Sequence, residues 1–346
     1  MPIDLRSDTV TRPTLAMRRA MAEAEVGDDV LEGDPTTRRF EALVAERLGK
    51  EAALFFPSGT MANQAAIWVH TTPGTEILVD ADAHIVHWEM AGAAALCGVQ
   101  CRMVRGPGPV MTDTDLSATL RMPSPHAPEA SLVCLENTHN GAGGMVTSLD
   151  GLRALEGVAR AAHLPVHLDG ARLWNAAVAT GASLVALAAC ADSVMVSFSK
   201  GLGAPVGACL AGGTAFIQQA HRARKRFGGG MRQSGVLTAA ALYALEHHAD
   251  RLSEDHASAR ELARLVDGAG GARVVPPDSN IVMIDLPTPV AAAVVARAAE
   301  LGVRLSPWHP TRVRAVTHLD APLDVIRQAG PLIARALEET CRETVA

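Results

Sequence analysis

A lysine that can form an imine and a carboxylate that can hold a ring nitrogen protonated are the two groups this chain most plainly offers. Lys200 ends the run Ser-Val-Met-Val-Ser-Phe-Ser-Lys at 193–200 and is followed by Gly-Leu-Gly-Ala-Pro-Val-Gly. Asp169 closes an earlier apolar run, His-Leu-Asp-Gly-Ala-Arg at 167–172. Together such groups make a carbonyl-bearing pyridine cofactor into an electron sink, and the cofactor they fit is pyridoxal phosphate.

Other residues join them. Phe-Pro-Ser-Gly-Thr-Met-Ala-Asn at 56–63 ends a predicted strand and opens a helix. The amides of Gly59 and Thr60, with a hydroxyl of Ser58 or Thr60, suit a phosphate at the helix N-terminus, while a plain Ser/Thr cap is the competing account. His84 follows Asp-Ala-Asp-Ala, where its imidazole can stack on the pyridine ring or carry a proton; a satisfied loop histidine is the alternative. The chain has one tyrosine, Tyr243, within a helical apolar pattern. Ring stacking and acid–base work therefore fall to histidine, with His84 and His126 as candidates. Glu136-Asn-Thr-His-Asn-Gly at 136–141 either lines the pocket or is a turn. Lys225 and Arg232 flank a glycine-rich loop at 228–230 that closes over a phosphate, from a neighbouring subunit, or serves as a hinge. Arg312 and Arg314 share one face of a predicted strand, and a guanidinium fork suits an α-carboxylate.

These groups need a frame. Predicted strands at 53–56, 77–79, 102–104, 132–135, 166–168, 194–196 and 208–210 alternate with helical stretches at 60–70, 149–163 and 173–180. Alternation of this kind predicts an α/β domain with a mostly parallel sheet covered on both faces, with ligands at the carboxyl ends of the strands. Ser58, His84, Glu136, Asp169 and Lys200 each follow a strand closely, so one edge should collect them. Beyond 230 the pattern changes. Long helices at 235–249 and 254–265 lead into strands at 273–275, 281–284, 303–305 and 313–317, with helices at 290–301 and from Leu323. The division expected is an N-terminal segment 1–25, a large domain 26–248 and a small α+β domain 249–346.

Composition excludes other classes. A net charge of −6 with mixed signs disfavours nucleic acid and anionic membranes as partners. The six cysteines form no Cys-x-x-Cys pair, so no structural zinc and no disulfide framework are expected. The start carries no signal core and the longest apolar stretch, 176–190, is too short to span a bilayer, which makes the cytoplasm the expected compartment. No Gly-x-Gly-x-x-Gly or Walker loop is present.

The motifs also carry a resemblance. Asp-Leu-Arg-Ser-Asp-Thr-Val-Thr-Arg-Pro-Thr at 4–14, Val-Gly-Asp-Asp-Val at 26–30, Pro-Ser-Gly-Thr-Met-Ala-Asn, Leu-Glu-Asn-Thr-His-Asn-Gly, Asp-Gly-Ala-Arg-Leu, Ser-Lys-Gly-Leu-Gly-Ala-Pro-Val-Gly, Gly-Gly-Gly-Met-Arg-Gln-Ser-Gly and Arg-Ala-Val-Thr-His-Leu strongly resemble the L-threonine aldolases, in order along nearly the whole chain. The resemblance implies a fold type I (aspartate aminotransferase-like) pyridoxal-phosphate enzyme with a seven-stranded, mostly parallel sheet. It implies retro-aldol cleavage of L-threonine, L-allo-threonine and related L-β-hydroxy-α-amino acids to glycine and an aldehyde. It also implies a homotetramer of tight dimers with active sites at the dimer interface. By matched motif it assigns Lys200 as Schiff-base lysine, Asp169 as pyridinium partner, Gly59 and Thr60 to the phosphate, His84 as stacking histidine, His126 as the second histidine, and Ser7, Arg172 and Arg314 to the substrate carboxylate. The other readings carried forward are a β-eliminating or serine hydroxymethyltransferase-like lyase of the same fold type, and a protein that binds the cofactor without catalysis. His87-Trp88 and Trp308-His-Pro depart from the pattern and bear on substrate preference.

Overall fold

The computed structural model describes residues 2–122 and 124–343. Strands are numbered along the chain: β1 Ile3–Asp4, β2 Ala52–Phe56, β3 Glu76–Asp80, β4 Gln100–Val104, β5 Ala130–Glu136, β6 Val166–Gly170, β7 Ser193–Ser197, β8 Ala208–Gly212, β9 Arg273–Val274, β10 Ile281–Asp285, β11 Val303–Arg304, β12 Ser306–His309 and β13 Arg312–Val316. Seven of them form the main sheet in the order β2-β8-β7-β6-β5-β3-β4. Only β8 runs against its neighbours; the other pairs are parallel. Except for the edge strand β4, these strands are buried along most of their length, as expected where helices cover both faces, and so read as apolar runs without alternation. Both β2 and β7 are antiparallel to β8, so β2 points the same way as the parallel set. The carboxyl ends of β2, β3, β5, β6 and β7 therefore lie along one edge, the edge the sequence predicts.

The second sheet is antiparallel, in the order β12-β13-β10-β9. Helices Leu252–Val266, Ala291–Glu300 and Leu323–Glu343 pack on it. One apolar core runs from Met17 to Leu252; another gathers residues from Ala259 to Leu337. The N-terminal segment belongs to both. Leu5 is buried in the second core, β1 pairs in parallel with β11, and Met17 is buried in the first. Residues 2–25 thus form a strap across two cores.

Candidate active site

Adjacent strand ends set the first contacts. Glu136 on β5 is the register partner of Asp169 on β6, so two carboxylates stand side by side. Asp169 is buried, and its oxygens accept from Asn63 Nδ2 at 2.8 Å and from the Ala171 amide at 3.0 Å. A hydrogen-bonded chain runs away behind it. Asn63 Oδ1 meets His167 Nε2 at 3.0 Å, His167 Nδ1 meets Ser193 Oγ at 2.9 Å, and Ser193 Oγ meets His70 Nε2 at 2.8 Å. Burial pushes His167 down to about 3 and His70 to about 4, so this chain is neutral. Among the described residues Asp169 has no ion-pair partner.

Lys200 follows β7 on a turn held by its own carbonyl, which accepts from Thr11 Oγ1 at 3.0 Å and from the Gly203 amide at 2.8 Å. Burial and the nearby Arg172 push its amine down to about 8, against the pull of Asp8, Asp169 and Glu136. An amine in that range is available as a nucleophile near neutral pH.

His84 opens a single helical turn, His84–His87, after β3. Its amide donates to Glu136 Oε2 at 2.7 Å, and its Nδ1 lies 2.9 Å from Glu89 Oε1. Burial alone would lower its pKa; the Glu89 hydrogen bond and the charge of Asp169 reverse this, and the net shift is upward. Glu89 also accepts from Asn63 Nδ2 at 2.8 Å and Gln64 Nε2 at 2.6 Å. It is turned inward by two consecutive left-handed non-glycine residues, Met90 (φ 53°) and Ala91 (φ 55°). That backbone is costly for side-chain-bearing residues and marks a held geometry. Ligand atoms of His84, Glu89 and Asp169 lie within 4.8 Å of one another, as a metal site would require. The Asn63 amide already donates to both carboxylates, which is the arrangement of a donor-satisfied buried pair rather than an open coordination shell.

An anion grip lies on the other side. Arg172 gives Nε and Nη2 to Asp8 at 2.8 and 2.6 Å in a buried bidentate pair. The third nitrogen, Nη1, is 3.4 Å from Asn140 Oδ1, and Arg314 Nη1 donates to the same oxygen at 3.0 Å. Two guanidinium groups, one following β6 of the main sheet and one on β13 of the second sheet, thus converge on one oxygen, the disposition a carboxylate oxygen would want. Arg314 Nε is buried without a partner, and burial next to Arg172 lowers Arg314 to about 10. Arg314 Nη2 donates to the Arg6 carbonyl at 3.2 Å, while the hydroxyl of the adjacent Ser7 accepts from the Thr9 amide at 3.2 Å. Arg312 instead pairs with Asp285.

Not every predicted residue arrives. Ser58 Oγ caps helix Gly59–His70 by accepting from the Met61 amide at 3.2 Å, so the plain cap is realised, while the first-turn amides of Gly59 and Thr60 have no intrahelical carbonyl. Lys225 is exposed, and Arg232 pairs with Asp28 on the outer face. His126 sits on an exposed turn, its amide bonded to Ser124 Oγ at 3.2 Å. Among the described residues no hydrogen bond or ion pair ties these three to the cluster around Lys200. In their place stand residues not singled out from sequence: Asp8, Asn63, Glu89 and His167.

The residues present fit pyridoxal phosphate. Among the described residues, a buried carboxylate lacking a counter-ion, an amine of lowered basicity without an ion-pair partner, an imidazole hydrogen-bonded to a buried carboxylate and a helix N-terminus share one sheet edge. They match the pyridinium, carbonyl, ring face and phosphate of that cofactor.

Comparison with known proteins follows the same line. A family model described as beta-eliminating lyase matches residues 4–288. An Arabidopsis thaliana protein named low-specificity L-threonine aldolase 1 is 42% identical over 325 residues, 91% of this chain and 91% of its own. An uncharacterized Caenorhabditis elegans protein is 47% identical over 77% of this chain, and the match spans 65% of that protein's length. A solved structure from Listeria monocytogenes, described as a candidate L-allo-threonine aldolase, superposes with a TM-score of 0.80 at 26% identity, covering 98% of this chain and 96% of its own.

Proposed function

Since the chain belongs to the beta-eliminating lyase family and its relatives include proteins named low-specificity L-threonine aldolases, we propose that it is a pyridoxal-phosphate-dependent aldehyde-lyase. It cleaves L-threonine, L-allo-threonine and related L-β-hydroxy-α-amino acids to glycine and an aldehyde, and in reverse adds glycine to aldehydes. The observation that carries this reading is the convergence of Lys200, Asp169 and His84 on one edge, facing two arginines that share an oxygen site. A protein that only stores cofactor has no use for that second feature.

Lys200 would hold the cofactor through its amine, Asp169 its ring nitrogen, and the amides of Gly59 and Thr60 its phosphate. When bound, the cofactor supplies a sink for the electron pair released at Cα. Arg314 and Nη1 of Arg172, with Ser7 beside them, fix the substrate carboxylate and so select which bond at Cα is exposed to cleavage. His84 takes the β-hydroxyl proton on Nε2 as the aldehyde C=O forms, because Glu89 occupies Nδ1. His126 stays a second candidate, acting through water or across a subunit contact.

The wider reading is a cytoplasmic homotetramer of dimers. Exposed Lys225 and Arg232 would complete a neighbour's phosphate site, with Arg232 leaving or sharing its Asp28 partner. The division into segment 1–25, large domain 26–248 and small domain 249–346 is part of the same proposal, with its last boundary where the apolar core changes hands.

The test is to supply purified holoprotein with L-threonine and L-allo-threonine, and to quantify acetaldehyde and glycine while following the cofactor's absorbance. Equimolar acetaldehyde and glycine from either isomer is expected. Pyruvate and ammonia would move the protein to an eliminating lyase. An absorbance response to amino acids without any product would leave a binder.

A further inference from the structure

Aromatic side chains make up 3% of this chain, yet two of its four tryptophans meet beside the candidate site. Trp88 and Trp308 have ring centroids 5.2 Å apart. Trp88 lies 5.8 Å from the His84 ring, and the Arg314 guanidinium stands 4.5 Å over the Trp308 ring. The pair therefore bridges the proposed proton acceptor and the proposed carboxylate grip. Both line one cavity of about 860 Å³, together with His87, Asp82, Gly141 and Arg312.

An amino acid anchored by its carboxylate at Arg314, with its β-hydroxyl at His84, has one substituent left on Cβ. Among the described residues the ring contacts between those two anchors run through the tryptophans, which stand on the side toward which that substituent would extend. A methyl group would leave most of the cavity empty, since volumes of about 300–1,000 Å³ hold drug-sized ligands. The tryptophans are also too close to clasp a ring between them, because two stacking gaps need about 7 Å. An arriving ring must lie on their exposed side, and Trp88 is 42% exposed.

We propose that Trp88 and Trp308 form a side-chain subsite that selects substrates with an aryl group on Cβ over those with a short alkyl group. The inference rests on the aldol reading of the site. Trp308 sits on β12, beside β13 that carries Arg314, while Trp88 follows the turn of His84. Ring selection and chemistry are thus wired to the same two elements.

The experiment uses holoenzyme with Trp308→Ala and Trp308→Phe. Steady-state kcat/KM is measured for L-β-phenylserine and L-threonine, and binding of L-phenylalanine and L-alanine is followed by the cofactor's absorbance. The latter two lack a β-hydroxyl and report the subsite without cleavage. Removing the indole should lower the phenylserine-to-threonine ratio about tenfold, the size of a lost aromatic contact of about 1.4 kcal/mol, and Trp308→Phe should retain most of it. The phenylalanine-to-alanine binding ratio should fall in step. An unchanged ratio, or a proportional loss for both substrates as from a damaged Arg314, overturns the subsite. If no β-hydroxy amino acid is cleaved but selective phenylalanine binding depends on Trp308, the subsite stands and the aldol reading falls.

Discussion

Lys200 and Glu89 carry the sharpest expectations at the level of single residues. Lys200→Ala should abolish turnover and also covalent retention of the cofactor; borohydride reduction followed by intact-mass measurement should tag the wild type alone. A tag surviving in the variant would move the attachment to another lysine. Glu89 holds Nδ1 of His84 and raises its pKa above the ordinary 6.5. A base works in its neutral form, so wild-type kcat/KM should rise with pH through a value above 6.5. In Glu89→Gln the carboxylate is gone while burial remains, and burial lowers the imidazole. The acid limb of the profile should move to lower pH. The plateau should fall by about 10²-fold, because the tautomer that leaves Nε2 free is no longer held. A profile that falls without moving would assign Glu89 to packing. The residue was hidden in the sequence for a physical reason: Met90 and Ala91 turn the chain through left-handed φ with no glycine at either position to announce it.

Helix Gly59–His70 allows a test of two competing accounts of Ser58. Its hydroxyl caps the helix in this structure. Ser58→Ala should therefore lower the stability of cofactor-free protein by about 1 kcal/mol, and Ser58→Gly by only a few tenths, as read from urea midpoints. A loss confined to cofactor affinity would return the hydroxyl to the phosphate. Elements of this kind were the legible part of the chain. Six of the seven main-sheet strands could be read from their buried apolar runs, with the half-exposed edge strand β4 read from its place in the alternation, and the convergence of Lys200, Asp169 and His84 followed from strand polarity. Helix Pro35–Leu48 also carries a readable signature, with Asp34 as cap, Pro35 at its first position and Gly49 at φ 62° after its end. Strand β12 was not legible, because Ser-Pro-Trp-His-Pro carries two prolines and no alternation; its pairing with β13 comes from the partner strand. What a strand-end reading cannot supply is which far-off group meets a side chain. Asp8 reaching Arg172 across 164 positions depends on the N-terminal strap.

At the scale of the molecule that strap is an electrostatic joint. Asp8 accepts from Arg172 in the first domain and from Asn280 Nδ2 at 3.2 Å in the second. Burial opposes its charge, but Arg172 holds it far below the ordinary carboxylate range. Its contribution is thus complete above the unfolded value of 3.8 and disappears only in strong acid. Glu41 acts with the opposite sign. Its carboxyl accepts from the Phe55 amide at 2.8 Å, and burial pushes it up to about 7 despite Arg224 nearby. The folded protein keeps a proton that the unfolded chain releases from 4.5 upward. Stability from this group is full below 4.5 and is lost as pH rises through about 7. At about 1.4 kcal/mol per pH unit the loss is on the order of 3 kcal/mol. Asp255, raised by burial to about 6 against its Arg251 partner, adds in the same direction. Buried His70, His167 and His256, held down to about 4, about 3 and about 4, act against these carboxyls, since their stability is full above 6.5 and is withdrawn as pH falls below it. Glu41→Gln removes the charge and keeps an oxygen for the Phe55 amide. Urea unfolding should find the variant close to wild type at about pH 5 and more stable by about 2–3 kcal/mol at about pH 8. A variant that tracks wild type across both values would overturn the assignment to Glu41, with Asp255 the next group to neutralise.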